Sequence, residues 1–211
     1  AFIEGVYREG AAAWMDAVSY HNYDARAEDD VLTEEIRRIR RIMELYGDAA
    51  KPLLITEIGL STGKSPVLPE VSQAYQASWM VKKTLLALAG GVDQFYYFKL
   101  VDDDPSYAPD GFWGLYDWNF KAKRSAAAYR AMTARLSDAR FVGRARRLSN
   151  DDERPEDAVV LLFRKGEETL AIAWTRNDSA DLQIALPADA PLLVEDLLGQ
   201  PAGELKPGAD G

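Results

Sequence analysis

Between residues 14 and 136, short apolar runs alternate with longer segments whose apolar residues recur at helical spacing, and no other feature restricts the fold as much. "LTEEIRRIRRIMELYG" (32–47) places Ile36, Ile39, Ile42, Met43 and Tyr46 on one helical face, with acids leading, arginines following and Gly47 closing the segment. "VSQAYQASWMVKKTLLALAGG" (71–91) repeats the pattern through Ala74, Trp79, Val81, Leu85 and Leu88 and ends on a glycine pair. "KAKRSAAAYRAMTARL" (121–136) predicts a third helix, and residues 1–13 read as the tail of another. Between them, "WMDAVSYHNYD" (14–24), "PLLITEIG" (52–59) and "VDQFYYFKLVDDD" (92–104) read as strands. Buried strands alternating with amphipathic helices imply repeated βα units, hence an α/β fold built on a parallel sheet or barrel, here assigned to residues 1–137.

Polar groups collect where these strands leave for the next helix. His21, Tyr23, Glu57 and Asp102 to Asp104 all occupy such exits, the edge where barrels and doubly wound sheets keep their ligands. Glu57 closes an apolar run with no polar alternation, the pattern of a strand covered on both faces, so it is either paired and inert or a working group. The adjacent aspartates point in different directions along the chain and predict a loop or helix-start role rather than a metal site.

Charge and composition narrow the chemistry. Twenty-five basic against 34 acidic residues give a net charge of −9, which argues against nucleic acid or an anionic membrane as partner. The absence of cysteine removes thiolate nucleophiles and zinc–thiolate sites, and a single histidine cannot build a multi-histidine metal centre, so no metal or other cofactor is expected. No membrane-spanning run occurs, and "AFIEGVYREG" lacks the features of a signal peptide; a secreted or periplasmic location is expected if the full-length protein carries one.

From residue 138 the pattern changes to short Val-, Leu- and Ile-rich runs, "RFVGRARRL", "AVVLLFRKGEETLAIAW", "ADLQIAL" and "LLVEDLLG", separated by turn residues. "RKGEET" predicts a hairpin turn, and residues 138–211 are assigned to a small, sandwich-like all-β domain. Asp151 to Asp157 read as a charged surface loop.

"SYHNYD" at one strand end, "LLITEIG" at the next, an aromatic strand ending in aspartate, and "GFWGLYDWNFKAKRSAAAYRAM" after it together resemble the back part of a clan A retaining glycoside hydrolase, family 39 and related cellulase-like groups. The resemblance implies strands six to eight of a (β/α)8 barrel, followed by an appended β domain. It further implies that Glu57 is the nucleophile that attacks the anomeric carbon to give a covalent glycosyl-enzyme, and that the Tyr23 phenol holds the carboxylate's orientation. His21 would hydrogen-bond the sugar, while Tyr97 and Trp113, with Tyr96 and Phe98 nearby, would offer rings on which a sugar stacks. The implied substrate is an oligo- or polysaccharide.

Such enzymes carry their general acid/base in an Asn-Glu pair at the end of the fourth strand, and no Asn-Glu dipeptide occurs in the 211 residues. A retaining site needs two carboxyl groups about 5 to 5.5 Å apart. The expectation is therefore a C-terminal fragment of a longer enzyme, inactive alone, that self-associates or takes a complementary N-terminal fragment to cover its open strand edges. The alternative is a non-catalytic carbohydrate-binding or subunit-interaction module derived from a glycosidase.

Overall fold

The computed structural model describes residues 2–23, 29–63, 70–106, 111–145, 158–175 and 193–202. They divide into two units, Ala1–Tyr129 and Arg130–Gly211. In the first unit, helix α1 (Phe2–Arg8) and a 3-10 turn (Ala11–Trp14) precede strand β1 (Val18–His21). Helix α2 (Asp29–Leu45), strand β2 (Leu53–Ile58), helix α3 (Gln73–Ala89) and strand β3 (Gln94–Tyr97) follow, and α4 (Arg124–Leu136) runs across the boundary between the units. The three strands form a parallel sheet in the order β1-β2-β3, so β2 is central, and β1 and β3 each pair on one side only among the described residues.

The helices start and stop where local chemistry requires. Ser72 caps α3 by accepting the Tyr75 N–H at 3.1 Å, and Gly47, at φ +82°, lets the chain leave α2 while Asp48 N–H returns to the Met43 carbonyl at 2.8 Å. The apolar stripe of α2 (Leu32, Ile36, Ile39, Met43) is buried together with Leu53, Ile55 and Ile58 of β2 and Met80, Leu85 and Leu86 of α3. Each such aliphatic side chain contributes about 1.5–3 kcal/mol relative to exposure. Arg40 lashes the start of the sheet together: its guanidinium donates to the Lys51 carbonyl at 3.0 Å and to Asp93 at 2.8 Å, and Asp93 also accepts the Leu53 N–H.

Two strands are shorter than the sequence suggests. The 14–24 segment is extended only over Val18–His21, because Trp14 ends a 3-10 turn. The 92–104 segment leaves the sheet after Tyr97: Lys99, Leu100 and Asp102 exchange the ladder for backbone hydrogen bonds with Trp113, Leu115 and Tyr116.

In the second unit, β4 (Arg140–Arg144), β5 (Ala158–Lys165) and β6 (Glu168–Thr175) make an antiparallel sheet in that order. The expected hairpin joins β5 to β6 through Gly166-Glu167, with Gly166 at φ +56° in the first turn position. "ADLQIAL", Asp151 to Asp157 and the last nine residues lie outside the described residues.

Candidate active site

The exit of β2 is irregular, and the irregularity aims Glu57. Against β1, Tyr20 pairs with Ile55 and His21 with Glu57; against β3, Ile55 pairs with Phe95 and Ile58 with Tyr97. Both neighbours therefore see one extra residue in β2 between Ile55 and Ile58. Strict alternation would send residue 57 to the same side as Leu53 and Ile55, which are fully buried under the helices. The bulge instead returns Ile58 to that layer and leaves Glu57 partly open, with a third of its side chain exposed.

Two side chains from the end of β1 reach this carboxylate. The Tyr23 hydroxyl donates a hydrogen bond to Glu57 Oε1. His21 Nδ1 lies 3.6 Å from Oε2, too far for a hydrogen bond, and is half exposed. Burial, reinforced by the bond to Glu57, raises the Tyr23 pKa, so the phenol is a donor throughout the neutral range.

An aromatic wall stands beside the pair. Trp113 meets Tyr23 edge-on, with ring centroids 5.5 Å apart at 86°, and Phe98 closes the triangle at 6.1 Å from Trp113 and 6.3 Å from Tyr23. Such edge-to-face pairs add about 0.5–1.5 kcal/mol each beyond their area. Gly59 is required here, since a Cβ would overlap the Phe98 carbonyl oxygen and sit 3.2 Å from the Trp113 ring.

Thus His21, Tyr23, Glu57 and Trp113 converge, joined by Phe98. Tyr97 does not. Alternation along β3 exposes Tyr96 and turns Tyr97 the other way, with its hydroxyl buried near the Leu60 backbone and Gln76 of α3. Burial raises the pKa of this hydroxyl, while the residue as a whole is only partly buried.

The aspartate run lies in a loop, as expected, but its members take separate partners. Asp102 is buried and ion-paired with buried Lys123 at 3.1 Å; Asp103 pairs with Lys99; only Asp104 makes the expected local turn bond, to the Ser106 N–H. Lys123 carried no clear signal in the sequence, because its neighbours Lys121 and Arg124 are exposed cations of the same appearance. Among the described residues, no group of His, Asp and Glu could hold a metal ion.

Comparison with solved structures bears on the fold. A family 39 glycoside hydrolase from the gut symbiont Bacteroides cellulosilyticus WH2 superposes with a TM-score of 0.63 at 22% identity, covering 84% of this chain and 37% of that one. The chain shares its fold with part of a glycoside hydrolase. A GH39 enzyme from Xanthomonas axonopodis pv. citri (TM-score 0.51, 18% identity) and a glucosidase from Croceicoccus marinus (TM-score 0.51, 15% identity) are similar over 77% of this chain and 35% of each of theirs. The chain thus spans little more than a third of the length of these structures. No family model and no curated protein sequence matches it. Among the described residues, no helix is long and apolar enough to cross a membrane.

Proposed function

We propose that this chain carries the nucleophile half of a retaining glycoside hydrolase acting on an oligo- or polysaccharide, with Glu57 as nucleophile and the general acid/base supplied from outside these residues. The observation that carries this reading is the Tyr23 hydroxyl bonded to one oxygen of a carboxylate that a bulge has turned out of the helix-covered layer. With Oε1 held by the phenol, Oε2 is free of a hydrogen bond from His21 and is the attacking atom.

In the first step, Oε2 bonds to the anomeric carbon as the bond to the leaving oxygen breaks, and that oxygen takes a proton from the partner acid. In the second, the same group removes a proton from water as water attacks the anomeric carbon, and Glu57 is released as carboxylate. The Tyr23 donor and the aromatic wall fix Glu57 before the reaction, which lowers the cost of orientation. His21 meets sugar hydroxyls, and the exposed portions of Trp113 and Phe98 meet the C–H face of a ring.

The sheet supports the need for a complement. Residues 18–97 form strands six to eight of a (β/α)8 barrel in this reading, within a first domain of residues 1–137. Parallel sheets of this class are covered on both faces, whereas here Ser19, Gln94 and Tyr96 are exposed opposite the buried Leu53, Ile55 and Ile58. A complementary N-terminal segment, or a second copy, covers that face.

The test is covalent labelling with a panel of 2-deoxy-2-fluoroglycosides bearing dinitrophenyl leaving groups, which need little acid help. The chain is assayed alone and together with a segment supplying an Asn-Glu strand end. An adduct mapped to the peptide containing Glu57, and absent in Glu57→Ala, is expected. An adduct on another carboxylate refutes the assignment, and glycan binding with no adduct under either condition favours a non-catalytic module.

A further inference from the structure

Lys123 and Asp102 are the only oppositely charged pair among the described residues in which both side chains are almost fully buried, at 3% and 2% exposed. Burying two charges is costly, and such pairs persist where every remaining bond is satisfied. Here the satisfied bonds converge on one residue. Lys123 Nζ donates to Asp102 (3.1 and 3.3 Å), to Thr62 Oγ1 (3.1 Å) and to the Phe112 carbonyl (3.2 Å). Asp102 Oδ1 also accepts the Gly114 N–H at 2.5 Å.

The Phe112 carbonyl belongs to the peptide unit that precedes Trp113, and the Gly114 N–H to the one that follows it. The two partners therefore grip the peptide planes on either side of Trp113, one through an acceptor and one through a donor. Surrounding groups tighten the hold: the Phe112 carbonyl also accepts the Thr62 N–H at 2.9 Å, and Lys123 N–H reaches the Leu115 carbonyl at 2.9 Å. Gly114 admits no side chain, because a Cβ would lie 2.5 Å from the Tyr116 carbonyl oxygen and 2.6 Å from Val101. Thr62 is four residues past the end of β2, so the clamp ties the loop after Glu57 to the loop that carries the indole.

We propose that Lys123 and Asp102 are positioning residues that act through Trp113: by fixing both peptide units around the indole, they hold its edge against Tyr23 and so keep the Tyr23 hydroxyl on Glu57. The proposal deepens the glycosidase reading and takes its catalytic meaning from it, but its geometry is testable without turnover.

The five tryptophans are replaced by 5-fluorotryptophan, and Trp113→Phe assigns the Trp113 fluorine resonance. Asp102→Asn keeps the shape and an acceptor oxygen. Asp102→Asn/Lys123→Met removes both buried charges together, so no uncompensated ion remains in the interior. In both variants the Trp113 resonance is expected to shift and broaden, the Tyr23 13Cζ resonance to shift with it, and the buried Trp79 resonance to stay in place. Folded variants with unmoved Trp113 and Tyr23 signals overturn the proposal. So does displacement of Trp79 along with Trp113, or failure of both variants to fold, since the pair would then hold the unit as a whole rather than the indole. Fluorosugar labelling separates this outcome from the parent reading: shifted Trp113 and Tyr23 signals in a chain whose Glu57 is never labelled leave the clamp standing and remove the glycosidase, whereas efficient labelling with unmoved signals does the reverse.

Discussion

Gly59→Ala is the smallest change that tests the packing around Glu57. An added Cβ would overlap the Phe98 carbonyl oxygen, well inside the roughly 3.3 Å at which carbon and carbonyl oxygen ordinarily meet, and would press on the Trp113 ring at 3.2 Å. The obstacle is backbone, so no side-chain rotation relieves it. Phe98 can retreat only by loosening its N–H bond to the Ile58 carbonyl, now 2.7 Å, which joins the exits of β2 and β3. Overpacking strain of about 1–3 kcal/mol and a weakened hydrogen bond of about 0.5–1.5 kcal/mol together predict a loss of about 2–4 kcal/mol. For a chain of this size that corresponds to a fall of roughly 5–15 °C in Tm. The assay is thermal unfolding followed by near-ultraviolet circular dichroism, which reports the packed aromatic residues. Gly5→Ala is the control: the same methyl, placed within α1 where a Cβ meets nothing within 4 Å, should stabilise by about 0.5–1 kcal/mol through helix propensity. A Gly59→Ala protein melting within about 2 °C of the parent would refute the argument that this strand exit is closed by contact with Phe98, the scale being set by the roughly 2–4 °C expected per kcal/mol.

Three further outcomes are expected. Tyr23→Phe removes a hydrogen bond to a charged acceptor, of the kind worth about 1.5–3 kcal/mol, so fluorosugar labelling of Glu57 should slow by roughly 10- to 150-fold; an unchanged labelling time course would show that the phenol does not orient the nucleophile. Burial raises the pKa of Tyr7, to about 12, and of Tyr20, Tyr23 and Tyr97, so the folded state holds these protons more tightly than the unfolded chain. Their contribution is complete below about pH 10 and is lost as pH rises through the folded-state values. In an absorbance titration at alkaline pH these four of the ten tyrosines should ionise together with unfolding, and a single non-cooperative wave with the fold intact would contradict this. Finally, Arg40→Ala should destabilise the first unit by about 1–2 kcal/mol, since it releases the Lys51 carbonyl and Asp93 at the start of the sheet; urea midpoints that coincide with the parent would count against that role.

The helices were legible because their signals are local. The 32–47 and 71–91 patterns recover α2 and α3 to within three residues at each end, and Gly47 and Ser72 act at their termini as their residue types suggest. The approach of His21 and Tyr23 to Glu57 was legible for a related reason: parallel strands bring their exits to one edge, so residues at successive exits become neighbours whatever their separation in sequence. Which of Tyr96 and Tyr97 has its hydroxyl turned inward was not legible, because a run of three aromatic residues gives no indication of which parity faces the helices. Lys123 failed because nothing in an exposed-looking basic stretch marks the one cation whose stem turns inward.

Glu57 shows most plainly why an unbroken pattern is an incomplete guide. Read with period two from Leu53, the run assigns residue 57 to the helix-covered layer, where a carboxylate would be desolvated and out of reach of a ligand. The apolar residues contain the correction: Leu53 and Ile55 keep odd parity, Ile58 and Leu60 keep even parity, and all four are fully buried. A change of parity inside one strand requires one extra residue, and the only place for it is between Ile55 and Ile58, on either side of Thr56 and Glu57. Burial of Ile58 and Leu60 therefore drives the bulge, and the bulge turns the acid outward, so the same hydrophobic term that builds the core also presents the carboxylate. A polar residue at position 58 would remove that drive and let the strand run regularly, which makes Ile58 as much a determinant of the candidate site as Tyr23.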